Sequence, residues 1–355
     1  MVDGTSAPPP GSSSPFLEAC RGRIPARRPV WLMRQAGRIL QPYRELKERV
    51  GSIEALFKTP ELAAQVTLMP VQMLQVDAAI LFADIFTPVE PMGVAVKFAP
   101  GPVLPGPYRD RERVEGLRVF DAATELGYVV ETIGAVRREL PPGVPLIGFA
   151  GSPFTLATYL AEGGGAREFV HLRRLLRADP DTAHLLLDRL TEVAISYLQA
   201  QIAAGVQAVQ LFDTWIGGLG PDSFATFALP YLQRIFRALE DTGLPRIYYA
   251  NGAAHLIPQL GEVGADVLSL DWRVPLDEVG AMGPGDCPLQ GNLDPTVLFA
   301  SPERIEAAAR RILDATAHLP HIFNLGHGVH PETPYDHVRR LVDVVHEYET
   351  PESRS

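Results

Sequence analysis

Apolar residues gather in eight short runs, each closed by glycine or a polar residue: PVWLMR, DAAILFAD, VPLIGFAG, VQAVQLFDT, RIYYANG, DVLSLDW, CPLQGN and HIFNLGHG. Within each run the apolar character is continuous rather than alternating, as in parallel strands covered on both faces. Between the runs lie longer stretches with helical spacing. They include SIEALFKTPELAAQVTLMPVQML, GLRVFDAATELGYVVETIGAVRREL, TAHLLLDRLTEVAISYLQAQIAAG, DSFATFALPYLQRIFRALE and PERIEAAARRILDATAHL. AAHLIPQLGEVG, PLDEVGAMG and PYDHVRRLVDVVHEYE read the same way. Eight strands, each followed by a helix, predict an α/β fold of the (β/α)8 TIM-barrel type in a single domain; a doubly wound open sheet is the other arrangement this order allows.

Two stretches break the rhythm. GVAVKFAPGPVLPGPYRD, after the second run, carries the Gly and Pro punctuation of a hairpin or excursion. EGGGAR, residues 162–167, reads as a mobile loop, because consecutive glycines leave the backbone free. The Pro/Ser/Gly-rich residues 1–14 read as a disordered tail and 351–355 as a frayed end, leaving 15–350 for the barrel.

In such a barrel the carboxyl ends of the strands line the active mouth. The residues there are Arg34, Asp84, Gly151 with Ser152, Asp213 with Thr214, Asn251, Asp271 with Trp272, Asn292 and His327. Asp84 ends a run without polar side chains, which predicts a partly desolvated carboxylate; capping a turn is its other reading. Ser152 and Pro153 have the form of a helix cap and first turn, so a short helix should bring Tyr159 beside the glycines, where a core role is the alternative. Asp213 and Thr214 are adjacent, so in a strand only one of them faces a ligand.

The formal net charge of −10 argues against a general nucleic-acid or anionic-membrane surface, so any anion must be met by locally placed cations. Arginine supplies nearly all the positive charge. The three lysines, Lys47, Lys58 and Lys97, avoid the strand ends, which leaves Schiff-base chemistry without a residue. Cys20 and Cys287 are far apart and form no CxxC, so neither a disulfide framework nor a cysteine zinc site is expected. His321, His327 and His330 match no common zinc spacing, and His327, flanked by Gly326 and Gly328, reads as a ligand-binding or acid/base group. There is no GxGxxG after a strand and no GxxxxGK[ST]. No apolar run approaches the roughly 18 residues of a membrane span, and no signal-peptide core is present, so a cytoplasmic location is expected.

The stretches WLMRQAGR, AAILFADI, GFAGSPFTLATYLAEGG, LFDTWIG with LPY, QGNLDP and FNLGHGVHPETP follow one another from about residue 29 to 348. In this the chain resembles the uroporphyrinogen decarboxylase family. The resemblance implies a single-domain (β/α)8 barrel, commonly a homodimer, that removes carbon dioxide from the four acetates of uroporphyrinogen to give coproporphyrinogen. It implies no metal and no organic cofactor. Carried over motif by motif, the substrate-binding set is Arg34, Gln35, Ala36, Gly37, Arg38, Asp84, Tyr159, Thr214 and His327. Asp84, Arg34 and His327 are the candidates for the chemistry. One departure is Ile39, Leu40 and Gln41 before Pro42, where the family commonly shows an aromatic residue and then a proline two positions on. The alternatives are a zinc-dependent methyltransferase acting on a thiol or corrinoid in a related barrel, and a non-catalytic tetrapyrrole-binding protein.

Overall fold

A computed structural model of the chain describes residues 14–98, 102–165 and 168–349. Its centre is a curled, wholly parallel sheet of seven strands: β1 (Ala79–Ile80), β4 (Leu146–Gly151), β5 (Ala208–Asp213), β6 (Arg246–Ala250), β7 (Val267–Leu270), β8 (Leu289–Leu293) and β9 (His321–Leu325), in that spatial order. β2 (Lys97–Phe98) and β3 (Pro102–Val103) form the separate antiparallel hairpin expected after the second apolar run. Nearly every residue of the seven sheet strands is buried, which is why they read as unbroken apolar runs.

The first apolar run departs from expectation: PVWLMR makes a single bridge, Val30 to Phe323, and not a full strand. Its backbone nevertheless lies between the sheet's two edges. Trp31 N donates to Phe323 O (3.3 Å), Phe323 N to Pro29 O (2.8 Å) and Asp77 N to Val30 O (2.8 Å). Side chains take the donors that a longer ladder would use. Asp77 Oδ2 accepts from Val30 N (2.8 Å), Gln35 Oε1 from Leu32 N (2.9 Å) and Asn324 Oδ1 from Met33 N (2.9 Å). DAAILFAD is likewise short as a strand, because Thr67 Oγ1 and Thr87 Oγ1 accept from Phe82 N and Asp84 N.

Inside the sheet, Trp31 Nε1 donates to Gln290 Oε1, and Gln290 Nε2 donates to Gln210 Oε1 and Ser269 Oγ. Most of this buried polar layer is paired within itself, as polar groups taken out of water tend to be, although Gln210 Nε2 has no partner among the described residues. Helices Pro60–Leu74, Gly127–Glu139, Pro180–Ala204, Leu229–Ala238, Pro302–Ala315 and Tyr335–His346 supply most of the outer layer. Two expected helices are reduced. AAHLIPQLGEVG forms a 3₁₀ turn and the four residues Ile257–Leu260, and PLDEVGAMG forms only the 3₁₀ turns Leu276–Glu278 and Gly280–Met282. Gly261, Gly264 and Gly283 interrupt these segments, and the last two have positive φ.

The expected tail lies outside the described residues except for Ser14, whose Oγ accepts from Leu17 N at the start of helix Pro15–Cys20. Residues 351–355 also lie outside. Of the glycine-rich loop, Ala166 and Arg167 are outside, while Gly164 bridges Val103 of the hairpin. No helix among the described residues is long and apolar enough to cross a membrane.

Candidate active site

A cavity of about 500 Å³ opens where the strands end. Arg34, Arg38, Asp84, Tyr159, Thr214 and His327 contribute its polar groups, and Tyr43, Phe82, Phe86, Phe149, Phe212 and Trp215 contribute aromatic walls. The sequence separates the ends of this set by nearly three hundred residues. The curled sheet brings them to one place.

The two arginines sit on a tight turn. Arg34 takes φ 62°, a left-handed conformation unusual for a residue with a side chain, and Leu32 O accepts from Gln35 N to close the turn. Gln35 is fully buried and turns away from the cavity: Oε1 accepts from Leu32 N and Nε2 donates to Ala78 O (3.0 Å). It therefore holds the turn, while Ala36 and Gly37 line the cavity. Ile39 and Leu40, where the family pattern differs, are buried, and helix Gln41–Val50 starts directly after them. Arg34 and Arg38 are exposed, and neither has an acidic partner among the described residues.

Gly328 makes room for Arg34. A Cβ at that position would collide with the Cγ and Cδ of the Arg34 side chain.

Asp84 lines the same cavity. Oδ1 accepts from Phe86 N (2.9 Å), and the Asp84 carbonyl accepts from Thr87 N (3.0 Å), so a tight turn fixes the carboxylate. Oδ2 has no hydrogen-bond partner among the described residues. Burial pushes the Asp84 carboxyl above its ordinary range, with the Phe86 N–H and the positive charge of Arg34 acting against that rise.

Helix Pro153–Glu162 delivers Tyr159, and its start is capped as expected, with Ser152 Oγ accepting from Thr155 N (3.1 Å). The Tyr159 ring packs edge-on against Phe86 (5.2 Å) and Trp215 (6.0 Å), and burial raises its hydroxyl pKa. Thr214 lines the cavity, whereas Asp213 turns inward and is fully buried. Asp213 accepts from Thr155 Oγ1 (2.7 Å) and Tyr248 OH (2.8 Å); burial moves it up to about 6, against the lowering effect of those hydroxyls.

His327 closes the ring of polar groups. Its Nδ1 lies 2.9 Å from Tyr249 OH, and burial, helped by the charge of Arg34, lowers its pKa to about 4. Tyr249 was not among the residues predicted from sequence. It stands in an apolar strand beside a second tyrosine, and no local pattern tells which of the two reaches the mouth.

The remaining strand-end residues serve the fold. Asn251 Nδ2 donates to Thr214 O (2.9 Å), Asn292 Nδ2 to Asp271 O (2.9 Å) and Val274 O (2.6 Å), and buried Asp271 accepts from the backbone of Gly252 and Arg273. Among the described residues, no group of three or more His, Cys, Asp or Glu side chains converges as a metal site would require.

The family described as Uroporphyrinogen decarboxylase (URO-D) matches residues 12–348. A protein of Syntrophotalea carbinolica named uroporphyrinogen decarboxylase is 49% identical over 332 residues, covering 93% of this chain and 96% of its own length. One of the same name from Carboxydothermus hydrogenoformans is 47% identical over 335 residues, covering 94% and 95%. Among solved structures, a methyltransferase from Methanosarcina mazei superposes with a TM-score of 0.79 at 22% identity, covering 93% of this chain and 97% of that one. At that identity the likeness is one of fold.

Proposed function

The chain belongs to the uroporphyrinogen decarboxylase family, and from that premise we propose that it is a carboxy-lyase converting the four acetates of uroporphyrinogen III to methyl groups, giving coproporphyrinogen III for haem biosynthesis. The observation that carries the reading at the site is that one partly desolvated carboxylate, Asp84, and two arginines without acidic partners among the described residues line a single cavity.

The chemistry needs an electron sink. Protonating the pyrrole carbon beside an acetate makes the ring cationic; the bond to the carboxylate then breaks, carbon dioxide leaves, and its electron pair neutralises the ring. A second proton on the exocyclic carbon makes the methyl group, and loss of the first ring proton restores the pyrrole. The net change is one proton taken up and one carbon dioxide released, with the substrate itself supplying the sink.

In this reading Asp84 accepts pyrrole N–H groups at Oδ2 and stabilises the cation as it forms. At about 4 Å and an effective dielectric near 20, such a pair interacts by about 4 kcal/mol, about a thousandfold in rate if felt in the transition state. Arg34 and Arg38 orient the carboxylates through their planar forks, with Ala36 and Gly37 allowing close approach. Tyr159 and Thr214 add polar contacts, and His327 is the second candidate for handling protons. Arg34 is a poor acid and serves the chemistry chiefly by its charge.

The finer architecture belongs to the same proposal. The seven-stranded sheet closes as a (β/α)8 barrel through Pro29–Trp31, a reading supported by that segment's backbone bonds to both edges. One domain, a homodimer and a cytoplasmic location complete it. Neither a metal nor an organic cofactor is required by the steps above. The relatives' names favour the decarboxylase over the methyltransferase, since the latter likeness extends to fold alone.

Anaerobic incubation with uroporphyrinogen III, separating products by carboxylate number, tests the reading. Stepwise appearance of products with seven to four carboxylates is expected without added metal or cofactor. Unchanged substrate would overturn it.

A further inference from the structure

We propose that Tyr249, a buried β6 residue behind the cavity wall, is a positioning residue that decides which nitrogen of His327 carries the proton, so that the imidazole meets the substrate as a hydrogen-bond acceptor at Nε2. The Tyr249 hydroxyl lies 2.9 Å from Gly326 O and 2.9 Å from His327 Nδ1. A carbonyl oxygen cannot donate, so the single hydroxyl proton goes to Gly326 O. The other contact is then a bond only if Nδ1–H donates to the tyrosine oxygen. A neutral imidazole has one N–H, so Nε2 keeps its lone pair.

The surroundings hold this arrangement. Gly326 N donates to Leu293 O (2.8 Å), and a Cβ on Gly326 would come within 2.5 Å of Trp272 N, so that peptide and its carbonyl are fixed in place. The Tyr249 and His327 rings are parallel within 6° at 6.2 Å, and Tyr249 packs edge-on against Phe212 of the cavity wall at 5.8 Å. Burial raises the Tyr249 hydroxyl well beyond its ordinary range, so it stays protonated. Burial and the charges of Arg34 and Arg273 keep His327 neutral near pH 7. His327 lines the cavity, and its Nε2 has no partner among the described residues.

A neutral nitrogen lone pair does not bind a carboxylate. Its partner must be a donor, and on the decarboxylase reading, on which this step rests, that donor is a pyrrole N–H or the proton that leaves the ring carbon at the end of each cycle. His327 then works with Asp84, not with the arginines.

Long-range proton–nitrogen correlation spectra of protein labelled with ¹⁵N-histidine read the tautomer without substrate, with His327→Gln identifying the signals. The parent should show Nδ1 protonated and Nε2 bare, and Tyr249→Phe should move the proton toward Nε2. In turnover of uroporphyrinogen, Tyr249→Phe should lower kcat by about tenfold with KM nearly unchanged, and have no further effect in a His327→Gln background. A proton on Nε2 in the parent, or the same kcat loss in both backgrounds, would overturn the proposal. Failure of the parent to turn over uroporphyrinogen would count against the decarboxylase reading, and the spectra would still decide the tautomer.

Discussion

The mouth of the sheet has two arcs built from the same kinds of residue and put to different ends. On one, Arg34, Arg38, Asp84 and His327 present charged or hydrogen-bonding groups to the cavity. On the other, Asp213, Asn251, Asp271 and Asn292 bind hydroxyls, peptide groups and each other's carbonyls. A polar residue at a strand end is therefore not a sign of chemistry in itself. What separates the arcs is where the groups are engaged: carboxylates and amide N–H groups bonded within the fold rigidify the mouth, even though Asn251 Oδ1 is buried without a partner among the described residues, and groups that open onto the cavity are available to a ligand.

The sharpest way to break this comparison is to remove the charge from one aspartate on each arc. Asp84→Asn should keep the fold and lose about a thousandfold in turnover, whereas Asp213→Asn should leave turnover within about tenfold of the parent. Steady-state carbon dioxide release measures both. Near-parental activity in Asp84→Asn, or equal losses in the two, would erase the distinction.

Arg38→Lys keeps the charge but not the planar fork, and should raise KM for uroporphyrinogen about tenfold with kcat little changed. Unchanged affinity would make Arg38 a solvated surface group. Gly328→Ala reaches the same arc from behind. The new methyl group displaces the flexible Arg34 side chain, so KM should rise by roughly fivefold while thermal unfolding shifts by only a few degrees. A large fall in melting temperature would mean that Gly328 serves packing instead.

The closed arc shows itself in stability. Because the folded pKa of Asp213 is raised to about 6, the folded protein holds a proton that the unfolded chain releases near pH 4. This group's contribution is most favourable below about pH 4 and declines as pH rises through 6, by up to roughly 3 kcal/mol. Denaturant unfolding from pH 4 to 7 should show that slope in the parent and not in Asp213→Asn. The smallest effect concerns His327: with its pKa lowered to about 4, His327→Asn should leave the shape of the pH-rate profile between 6 and 8 unchanged. Loss of a limb near 6.5 would contradict the neutral imidazole.

Much of this was legible in the chain. The buried strands announce themselves by unbroken apolar runs, and Asp84, Thr214 and His327 follow from reading strand ends as a mouth. The direction a strand-end side chain takes was not legible. Gln35 lies between two cavity residues and turns into the core because the backbone N–H of Leu32 and carbonyl of Ala78 need partners there. Tyr249 acts through a hydroxyl contact between segments nearly eighty residues apart, which no local spacing encodes. The first run reads as a strand but ladders poorly, because Asp77, Gln35 and Asn324, distant or out of register, take its donors.

A crystal structure of the protein grown anaerobically with coproporphyrinogen III tests the central claim most directly. The account predicts the tetrapyrrole in the cavity with pyrrole nitrogens about 3 Å from Asp84 Oδ2 and carboxylates turned to Arg34 and Arg38. A tetrapyrrole seated elsewhere, or one whose pyrrole nitrogens face away from Asp84, would contradict it.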